Sequence, residues 1–303
     1  MSHANVLYIE DNPADAELFS NLINHASSGK MHVVSAQHLS DACKMLDAHP
    51  YNAVLVDLNL KEVSGTHPVA LLKQHYPDLP IIVLTGQDDD LLASKTVQLG
   101  AQDFIVKGAG DGHALSRSIH HSILRQQHNN QLFFSTNYDE STTLPKYQLF
   151  MEHLRHAIAR ARRKREEAAV ILLDIDGFYS FGLENGFEIS ERVMQELAIR
   201  LSSTIRQSDI AARYGADKMV LLIESLENGT QECLQIAGKI MRALETPFQA
   251  GGQQLSTITL CTGIAIFPHA GNDEQEIIGA ARKALTHAKK RGAGKVEIYT
   301  SGT

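Results

Sequence analysis

The chain has 303 residues, of which 43% are hydrophobic, 21% charged and 6% aromatic, and this ordinary composition excludes a disordered or collagen-like protein. At roughly 150 residues per domain, the length predicts about two domains. The net charge is −7, divided as 8 Lys and Arg against 14 Asp and Glu in residues 1–130 and 20 against 21 in residues 131–303, so neither half has the basic surface of a nucleic-acid-binding protein.

Membrane insertion, export and disulfide formation are not expected from the sequence. Every apolar run is far shorter than the roughly 18 residues that span a bilayer. Glu10 and Asp11 directly follow the first apolar run, which fits neither a signal peptide nor a transit peptide. Cys43, Cys233 and Cys261 lie far apart, without the CxxC spacing of zinc or redox sites. We therefore predict buried thiols and a cytoplasmic protein.

Residues 1–110 alternate short apolar runs with amphipathic stretches. The apolar runs have the length of strands and lie at Val6–Ile9, His32–Ala36, Ala53–Val56, Ile81–Leu84 and Phe104–Val106. Between them apolar residues recur with helical spacing. Five strands separated by helices predict an α/β fold, with a five-stranded, doubly wound parallel sheet.

Polar residues with complementary chemistry end these predicted strands. They are Glu10 and Asp11 after the first strand, Asp57 after the third, Thr85 after the fourth and Lys107 after the fifth. The carboxyl ends of parallel strands meet at one edge of a sheet, where ligands bind. Crowded carboxylates suit Mg²⁺, and a cation and an amine together neutralise a transferred phosphoryl group. Asp57 is the central candidate nucleophile.

With these residues at the strand ends, the sequence resembles the response-regulator receiver domain over about residues 4–127. The resemblance implies that Glu10, Asp11 and Asp57 bind Mg²⁺ together with the carbonyl of Asn59. It also implies that Asp57 accepts a phosphoryl group from a sensor histidine kinase.

The same resemblance implies that Thr85 and Lys107 contact the phosphoryl oxygens and that Phe104 is the aromatic switch residue. The sequence departs from the family at Gly108, where a proline usually follows the lysine. This departure concerns the geometry of the loop and leaves the predicted chemistry intact.

A connector is predicted at residues 128–143, between a receiver domain at 1–127 and a second domain at 144–303. Before it, Leu115, Ile119 and Ile123 recur every four residues as an apolar stripe. Packing on the receiver's own sheet explains the first half of this helix, and a dimer seam is the interpretation for its later half. The polar cluster at residues 135–143 is predicted to be the linker itself.

Residues 144–300 also mix strands and helices, with longer helices. We predict strands at Ala169–Leu173, Ile258–Ile266 and Val296–Tyr299, a strand–turn–strand within Ala211–Ile223, and helices around residues 193–201 and 277–290. Strands joined by a hairpin as well as by helices indicate an α+β mixed sheet.

The predicted hairpin turn carries the sequence Arg-Tyr-Gly-Ala-Asp-Lys-Met at residues 213–219. It resembles the turn of the GGDEF domain, the diguanylate cyclase fold, and segments 139–145, 174–178 and 288–292 fall into the same register. The resemblance covers nearly all of residues 138–299. In that family two facing subunits, each holding one GTP, make cyclic di-GMP, which implies a homodimer.

A vestigial GTP and metal site is implied at Asp174, Ile175, Gly215, Asp217 and Lys289. Asp174 and Asp217 match the metal ligands of the family, and Lys289 matches its phosphate-contacting helix end. Several positions depart from the family pattern. Lys218 stands where a second acidic residue is required, Ala216 replaces the second turn glycine, Gly182 and Glu191 replace the guanine-binding Asn and Asp, Tyr179 replaces a Lys and Ala293 an Arg.

These departures predict the loss of cyclase activity. A missing contact weakens a polar pocket by roughly 1–3 kcal/mol, and a β-carbon at position 216 restricts positive φ and crowds the phosphate path. Residual GTP binding stays open, with Lys218 contacting a nucleotide phosphate without metal.

Upstream of the turn, Arg206 and Asp209 are in register with the family's RxxD inhibitory site for cyclic di-GMP. An arginine can grip phosphate with two donors or stack on guanine, and an aspartate can accept from the guanine edge. Two interpretations remain open: a cyclic di-GMP site, with Lys239 as a second basic contact, or a helix-end Arg beside a capping Asp.

The favoured hypothesis is a response regulator, phosphorylated on Asp57, whose output module is a catalytically inactive GGDEF-like domain. That module binds cyclic di-GMP or another nucleotide, or a partner protein such as a cyclic di-GMP phosphodiesterase. The alternative is a working diguanylate cyclase that joins two GTP molecules.

Overall fold

The computed structural model describes residues 3–61, 63, 65–86, 90–108, 111–250, 253–255 and 258–300. The chain divides into two compact units, Met1–Phe133 and Phe134–Thr303. The division lies inside the segment predicted as the connector. In the part of the chain that is described, no helix is both long enough and apolar enough to cross a bilayer.

The first unit alternates strands and helices. In chain order these are β1 (Ala4–Ile9), α1 (Pro13–Ala26), β2 (Met31–Ala36), α2 (Leu39–Ala48), β3 (Ala53–Asp57), α3 (His67–His75), β4 (Ile81–Thr85), α4 (Asp90–Gln98), β5 (Asp103–Val106) and α5 (Gly112–Asn137). The strands form one sheet in the order β2-β1-β3-β4-β5, and all pairs are parallel. The predicted doubly wound parallel sheet is confirmed.

Helices cover both faces of this sheet, which explains why β3 and β4 are buried along their whole length. One face packs with Ile23 of α1 and with Leu115, Ile119 and Ile123 of α5, and the other packs with α2 and α3. The apolar stripe of α5 therefore packs in the first unit's core. The helix continues to Asn137, so the predicted linker begins later than expected, because residues 135–137 are helical.

The second unit contains longer helices and a mixed sheet. Its elements are α6 (Tyr147–Lys164), β6 (Glu167–Ile175), α7 (Phe178–Asn185), α8 (Phe187–Thr204), β7 (Ile210–Arg213), β8 (Lys218–Leu226), α9 (Gly229–Leu244), β9 (Phe248–Ala250), β10 (Gln253–Leu255), β11 (Leu260–Phe267), α10 (Glu274–Lys290) and β12 (Val296–Ile298). The main sheet has the order β12-β11-β6-β8-β7. The β11–β12 pair is parallel and the β11–β6, β6–β8 and β7–β8 pairs are antiparallel, so the predicted α+β mixed sheet is confirmed.

The central strand β6 carries the polar residues of the second unit to one end of the sheet. It pairs with β8 so that Asp174 lies opposite Lys218, the first residue after the β7–β8 turn. Helices α8 and α9 cover one face of the sheet, and α6 and α10 cover the other. The turn and the end of α10 are therefore held beside Asp174 by packing on both faces.

Candidate functional sites

An ion-paired acidic cluster lies at the carboxyl edge of the first sheet. Asp57 is the last residue of β3 and is 6% exposed, and Glu10, directly after β1, is 2% exposed. Lys107, which follows β5, places its Nζ 2.8 Å from Asp57 Oδ2 and 2.6 Å from Glu10 Oε2. The parallel strand order brings these three residues together, as the sequence predicted.

Glu10 is the fixed anion of this cluster. Its Oε2 also accepts a hydrogen bond of 2.7 Å from Tyr8 Oη, and its Oε1 accepts one of 3.1 Å from Asn12 N. Burial raises the pKa of Glu10, but these hydrogen bonds and the one from Lys107 outweigh burial and leave the pKa lowered. Burial, followed by the hydrogen bond to Glu10, raises the pKa of the Tyr8 hydroxyl.

Asp57 differs from Glu10 although both contact Lys107. Burial raises the pKa of Asp57, and the charge of Glu10 adds to that rise, while the hydrogen bond from Lys107 opposes it. Burial lowers the pKa of Lys107, but the two carboxylates outweigh burial and raise it. The cluster therefore holds one acid whose ionised form is favoured, one amine whose protonated form is favoured and one carboxylate whose negative charge is less stabilised.

Asp11 and Asn59 lie at the edge of this cluster. Asp11 Oδ2 accepts a hydrogen bond of 2.9 Å from the backbone of the loop after β3, and Asn59 N donates to Asp57 Oδ1 over 3.3 Å. Carboxylate and carbonyl oxygens are the ligands that Mg²⁺ prefers, so this donor set fits the ion chemically. Among the residues that the structure describes, no three His, Cys, Asp or Glu side chains are grouped to hold a metal, and Lys107 joins Glu10 to Asp57 instead.

Thr85 and Phe104 are adjacent to the cluster on β4 and β5. Thr85 is fully buried, and its hydroxyl donates to the carbonyl of Gly86 over 3.1 Å rather than toward the acidic cluster. The backbone of Lys107 donates to the carbonyl of Thr85 over 2.8 Å, which fixes the two strand ends together. Phe104 is partly buried against the core on the α2–α3 face.

A second charged group lies in the second unit, around Asp174. Asp174 is completely buried, and its Oδ2 lies 2.6 Å from Lys289 Nζ and 3.1 Å from Lys218 Nζ. Lys218 Nζ also donates to Asp217 Oδ1 over 2.6 Å. The contacts to Asp174 are ion pairs by distance without hydrogen-bond geometry, and neither of its oxygens accepts a hydrogen bond from the described part of the chain.

Two ammonium groups thus face two carboxylates around Asp174. Burial lowers the pKa of Lys218, but its contacts with Asp217 and Asp174 outweigh burial and raise it. The side chain is therefore charged at neutral pH. A carboxylate at position 218 would add a third negative charge and favour binding of a cation. With Lys218 there instead, two ammonium groups neutralise the two carboxylates within the protein.

The β7–β8 turn, which carries Ala216 and Asp217, is held by backbone hydrogen bonds. Ile175 N donates to the carbonyl of Asp217 over 3.1 Å, and the amides of Tyr214 and Gly215 both donate to the carbonyl of Lys218. Ala216 does not adopt positive φ, and a β-carbon at Gly215 would meet nothing within 4 Å. This turn therefore does not use the left-handed region at either position.

Arg213 forms a network that the sequence analysis did not foresee. Its two terminal nitrogens donate to Glu191 over 2.7 and 2.9 Å, and Nη1 also donates to Asp139 over 2.9 Å. Glu191 accepts a further bond of 2.8 Å from Ser141. The Arg213 hydrogen bonds lower the pKa of Glu191. The opposite charges at 139, 191 and 213 were a signal in the sequence, but only the fold shows that they meet.

Arg206 and Asp209 lie close together, but Asp209 is already engaged. Asp209 Oδ2 accepts from Arg206 N over 3.0 Å and Oδ1 accepts from Glu224 N over 3.3 Å, which is a capping role. The Arg206 side chain is 66% exposed and lies 3.5 Å from Glu232. With Lys239 these residues line a depression of only about 60 Å³.

Comparisons with known proteins agree with the two units. Residues 136–295 match the family model "Diguanylate cyclase, GGDEF domain", and residues 6–120 match "Response regulator receiver domain". The two domains predicted from the motifs are confirmed by these matches.

Similar proteins carry one or both domains. The chain is 24% identical to the response regulator PleD of Caulobacter vibrioides, over 96% of this chain and 65% of PleD. It is 31% identical to the bifunctional diguanylate cyclase/cyclic di-GMP phosphodiesterase MucR of Pseudomonas aeruginosa, over 54% of this chain and 24% of MucR. The GGDEF domain structure of TpbB from Pseudomonas aeruginosa aligns with a TM-score of 0.52 and 28% identity, over 54% of this chain and 94% of that chain. The chain spans less than two thirds of the length of either curated relative.

Proposed function

Because the chain belongs to the diguanylate cyclase GGDEF family and carries a receiver domain ahead of that domain, we propose that it is a phosphorylation-controlled response regulator of cyclic di-GMP signalling. The observation that carries the input half is the buried Asp57 held 2.8 Å from Lys107. The observation that carries the output half is Lys218, which lies among the carboxylates of the GGDEF domain.

In the proposed input step, a sensor histidine kinase donates the phosphoryl group. An oxygen of Asp57 attacks the phosphorus of the kinase phosphohistidine, the O–P bond forms, the N–P bond breaks, and the imidazole leaves with the bonding electrons. Asp57 is suited to this role because its charge is less stabilised than that of Glu10. Lys107 already lies beside the attacking carboxylate and neutralises charge on the phosphoryl oxygens.

Glu10, Asp11 and Asp57, with the carbonyl of Asn59, would hold Mg²⁺ at this site, and the bound ion supplies further positive charge for the phosphoryl oxygens. Thr85 is placed to respond because its hydroxyl donates to the neighbouring carbonyl of Gly86 and not to the acidic cluster.

We propose that rotation of the Thr85 hydroxyl toward the phosphoryl group, with repacking of Phe104, shifts the receiver between two states. The position of Phe104, partly buried against the core on the α2–α3 face, supports this role.

The proposed output is binding rather than synthesis. Lys218 and Lys289 balance Asp174 and Asp217 without a divalent cation, and Glu191 is engaged by Arg213 instead of facing a guanine. The domain would then act by binding cyclic di-GMP at Arg206 and Asp209, by retaining GTP, or by contacting a protein such as a cyclic di-GMP phosphodiesterase. We place this action in a homodimer.

Two experiments test the output. Calorimetry with cyclic di-GMP and with GTP on wild type and Arg206→Ala separates a nucleotide sensor from a protein-binding module. Incubation of the phosphorylated, Mg²⁺-loaded protein with GTP tests the alternative, a working cyclase, because both Asp174 and Asp217 are present. Production of cyclic di-GMP that disappears in Asp217→Ala overturns the binding proposal.

A further inference from the structure

Helix α5 is a basic element in an acidic domain. It contains two Arg and four His and no Asp or Glu, whereas residues 1–111 hold 6 Lys and Arg against 14 Asp and Glu. His113, Arg117 and His120 follow one another at four and three residues, so they lie on the same side of the helix. This side of α5 therefore carries the charge of Arg117 and no acidic residue, on a unit that is acidic elsewhere.

These side chains line a groove of about 550 Å³ between α5, the end of α1 and the start of β1. Lys30 and His3 add to its basic rim, and no carboxylate lines it. In the described ranges of the chain, neither Lys30 nor Arg117 forms an ion pair, unlike Arg125, which lies 3.2 Å from Asp103. The groove thus presents uncompensated positive charge.

The floor of the groove includes apolar side chains from the core of the unit. Met31 and Ile123 line it and are themselves buried in the core of the unit. Gly112 fixes how closely α5 approaches α1, because a β-carbon there would lie 2.9 Å from Ala26 Cβ and from Leu22 Cδ1. The distance between α1 and α5 beside the groove is therefore fixed by their packing.

The position of the groove separates it from the phosphoacceptor site. Its residues precede or begin strands: Ala4 begins β1, Met31 begins β2, and Asn52 directly precedes β3. Asp57 ends β3, and in a parallel sheet the beginnings and ends of the strands lie at opposite edges. A ligand in the groove would not compete with phosphorylation for the same atoms.

We propose that this groove binds an organic phosphate of mononucleotide size. Its volume lies in the range of small-molecule sites, which combine an apolar lining with a few convergent polar groups. In this proposal the base of the nucleotide packs over Met31 and Ile123, and its phosphate contacts the unpaired charges of Arg117 and Lys30. This site is independent of the proposed function, since it needs neither Asp57 nor the GGDEF domain.

Calorimetry on the full chain tests the proposal with adenosine monophosphate as the probe, and with adenosine and inorganic phosphate as its two halves. We expect the nucleotide to bind and each half to bind at least about tenfold more weakly. Arg117→Gln and Lys30→Gln should each weaken nucleotide binding about tenfold, because each removes a charge-assisted contact. Arg125→Gln, with the same charge change on the same helix outside the groove, should leave it unchanged.

Other outcomes overturn the proposal. Absence of nucleotide binding up to millimolar concentration, or equal affinity in wild type and Arg117→Gln, removes the site. Loss of binding in Arg206→Gln with retention in Arg117→Gln assigns the nucleotide to the second unit. A polyglutamate peptide that binds in an Arg117-dependent way while the nucleotide does not would make the groove a surface for acidic proteins.

Discussion

At Gly263, the addition of a single methyl group should disturb the candidate site of the second unit. It lies on β11 against α10, and a β-carbon there would be 2.2 Å from Leu285 N, 2.4 Å from Ala281 O and 2.7 Å from Leu285 Cα. Ordinary contacts lie at 3.4–4 Å, and these three atoms are backbone. Gly263→Ala therefore forces β11 and α10 apart by more than 1 Å.

Overpacking of a core costs about 1–3 kcal/mol, and backbone contacts place this variant at the upper end, near 3 kcal/mol. For a unit of this size, that lowers the melting temperature by roughly 6–12 °C. Because α10 carries Lys289, the variant should also displace that ammonium from Asp174. Differential scanning calorimetry of the full chain measures the loss in the second unit.

Gly279→Ala is the matched control, because a β-carbon at that position of α10 meets nothing within 4 Å. It should be neutral or stabilise by about 0.4–1 kcal/mol, since it restricts the unfolded chain. A Gly263→Ala variant that unfolds within about 1 kcal/mol of wild type would refute the argument from close packing.

Asp57→Asn should reduce labelling by acetyl phosphate to background, whereas Asp78→Asn retains it; persistent labelling of the first variant rules out Asp57. In the Asp57→Asn background, Lys218→Glu should let Mn²⁺ stabilise the second unit by about 2–3 kcal/mol at a hundredfold excess over Kd, measured by calorimetry. A similar Mn²⁺ effect without the Lys218 change contradicts the charge argument. Arg213 lowers the pKa of Glu191 in the folded protein. The stabilisation that this ion pair contributes is therefore present above the pKa of Glu191 in the unfolded chain and is lost as the pH falls through its pKa in the folded protein. Arg213→Gln should therefore cost about 2 kcal/mol in urea unfolding at pH 7 and progressively less as the pH falls below about 4; a cost independent of pH disproves the ion-pair mechanism.

The strand ends were the most predictable part of the first unit. Short apolar runs and the polar residues after them determine both the strands and their shared edge, so the meeting of Glu10, Asp57 and Lys107 follows once the sheet is parallel. The orientation of the Thr85 hydroxyl could not be predicted, because rotation about one side-chain bond leaves no pattern in the sequence.

In the second unit, the register of the motifs predicted the positions of the site residues but not their contacts. The register located Lys218 and Asp174, but the ion pairs of Lys218 with Asp174 and Asp217 depend on the pairing of β6 with β8. The Arg213–Glu191 pair joins residues 22 positions apart on different elements, which no local pattern indicates. Strands β9 and β10 have three residues each, too short for alternating hydrophobicity to identify them.

The end of α5 is connected to strand β7 through the segment that precedes α6. Lys146 N donates to Asn137 O over 2.7 Å, Arg213 N donates to Pro145 O over 2.9 Å, and the Arg213 side chain pairs with Asp139. These hydrogen bonds join the last turn of α5 to β7. A rotation of the last turn of that helix would therefore act on β7 through backbone hydrogen bonds.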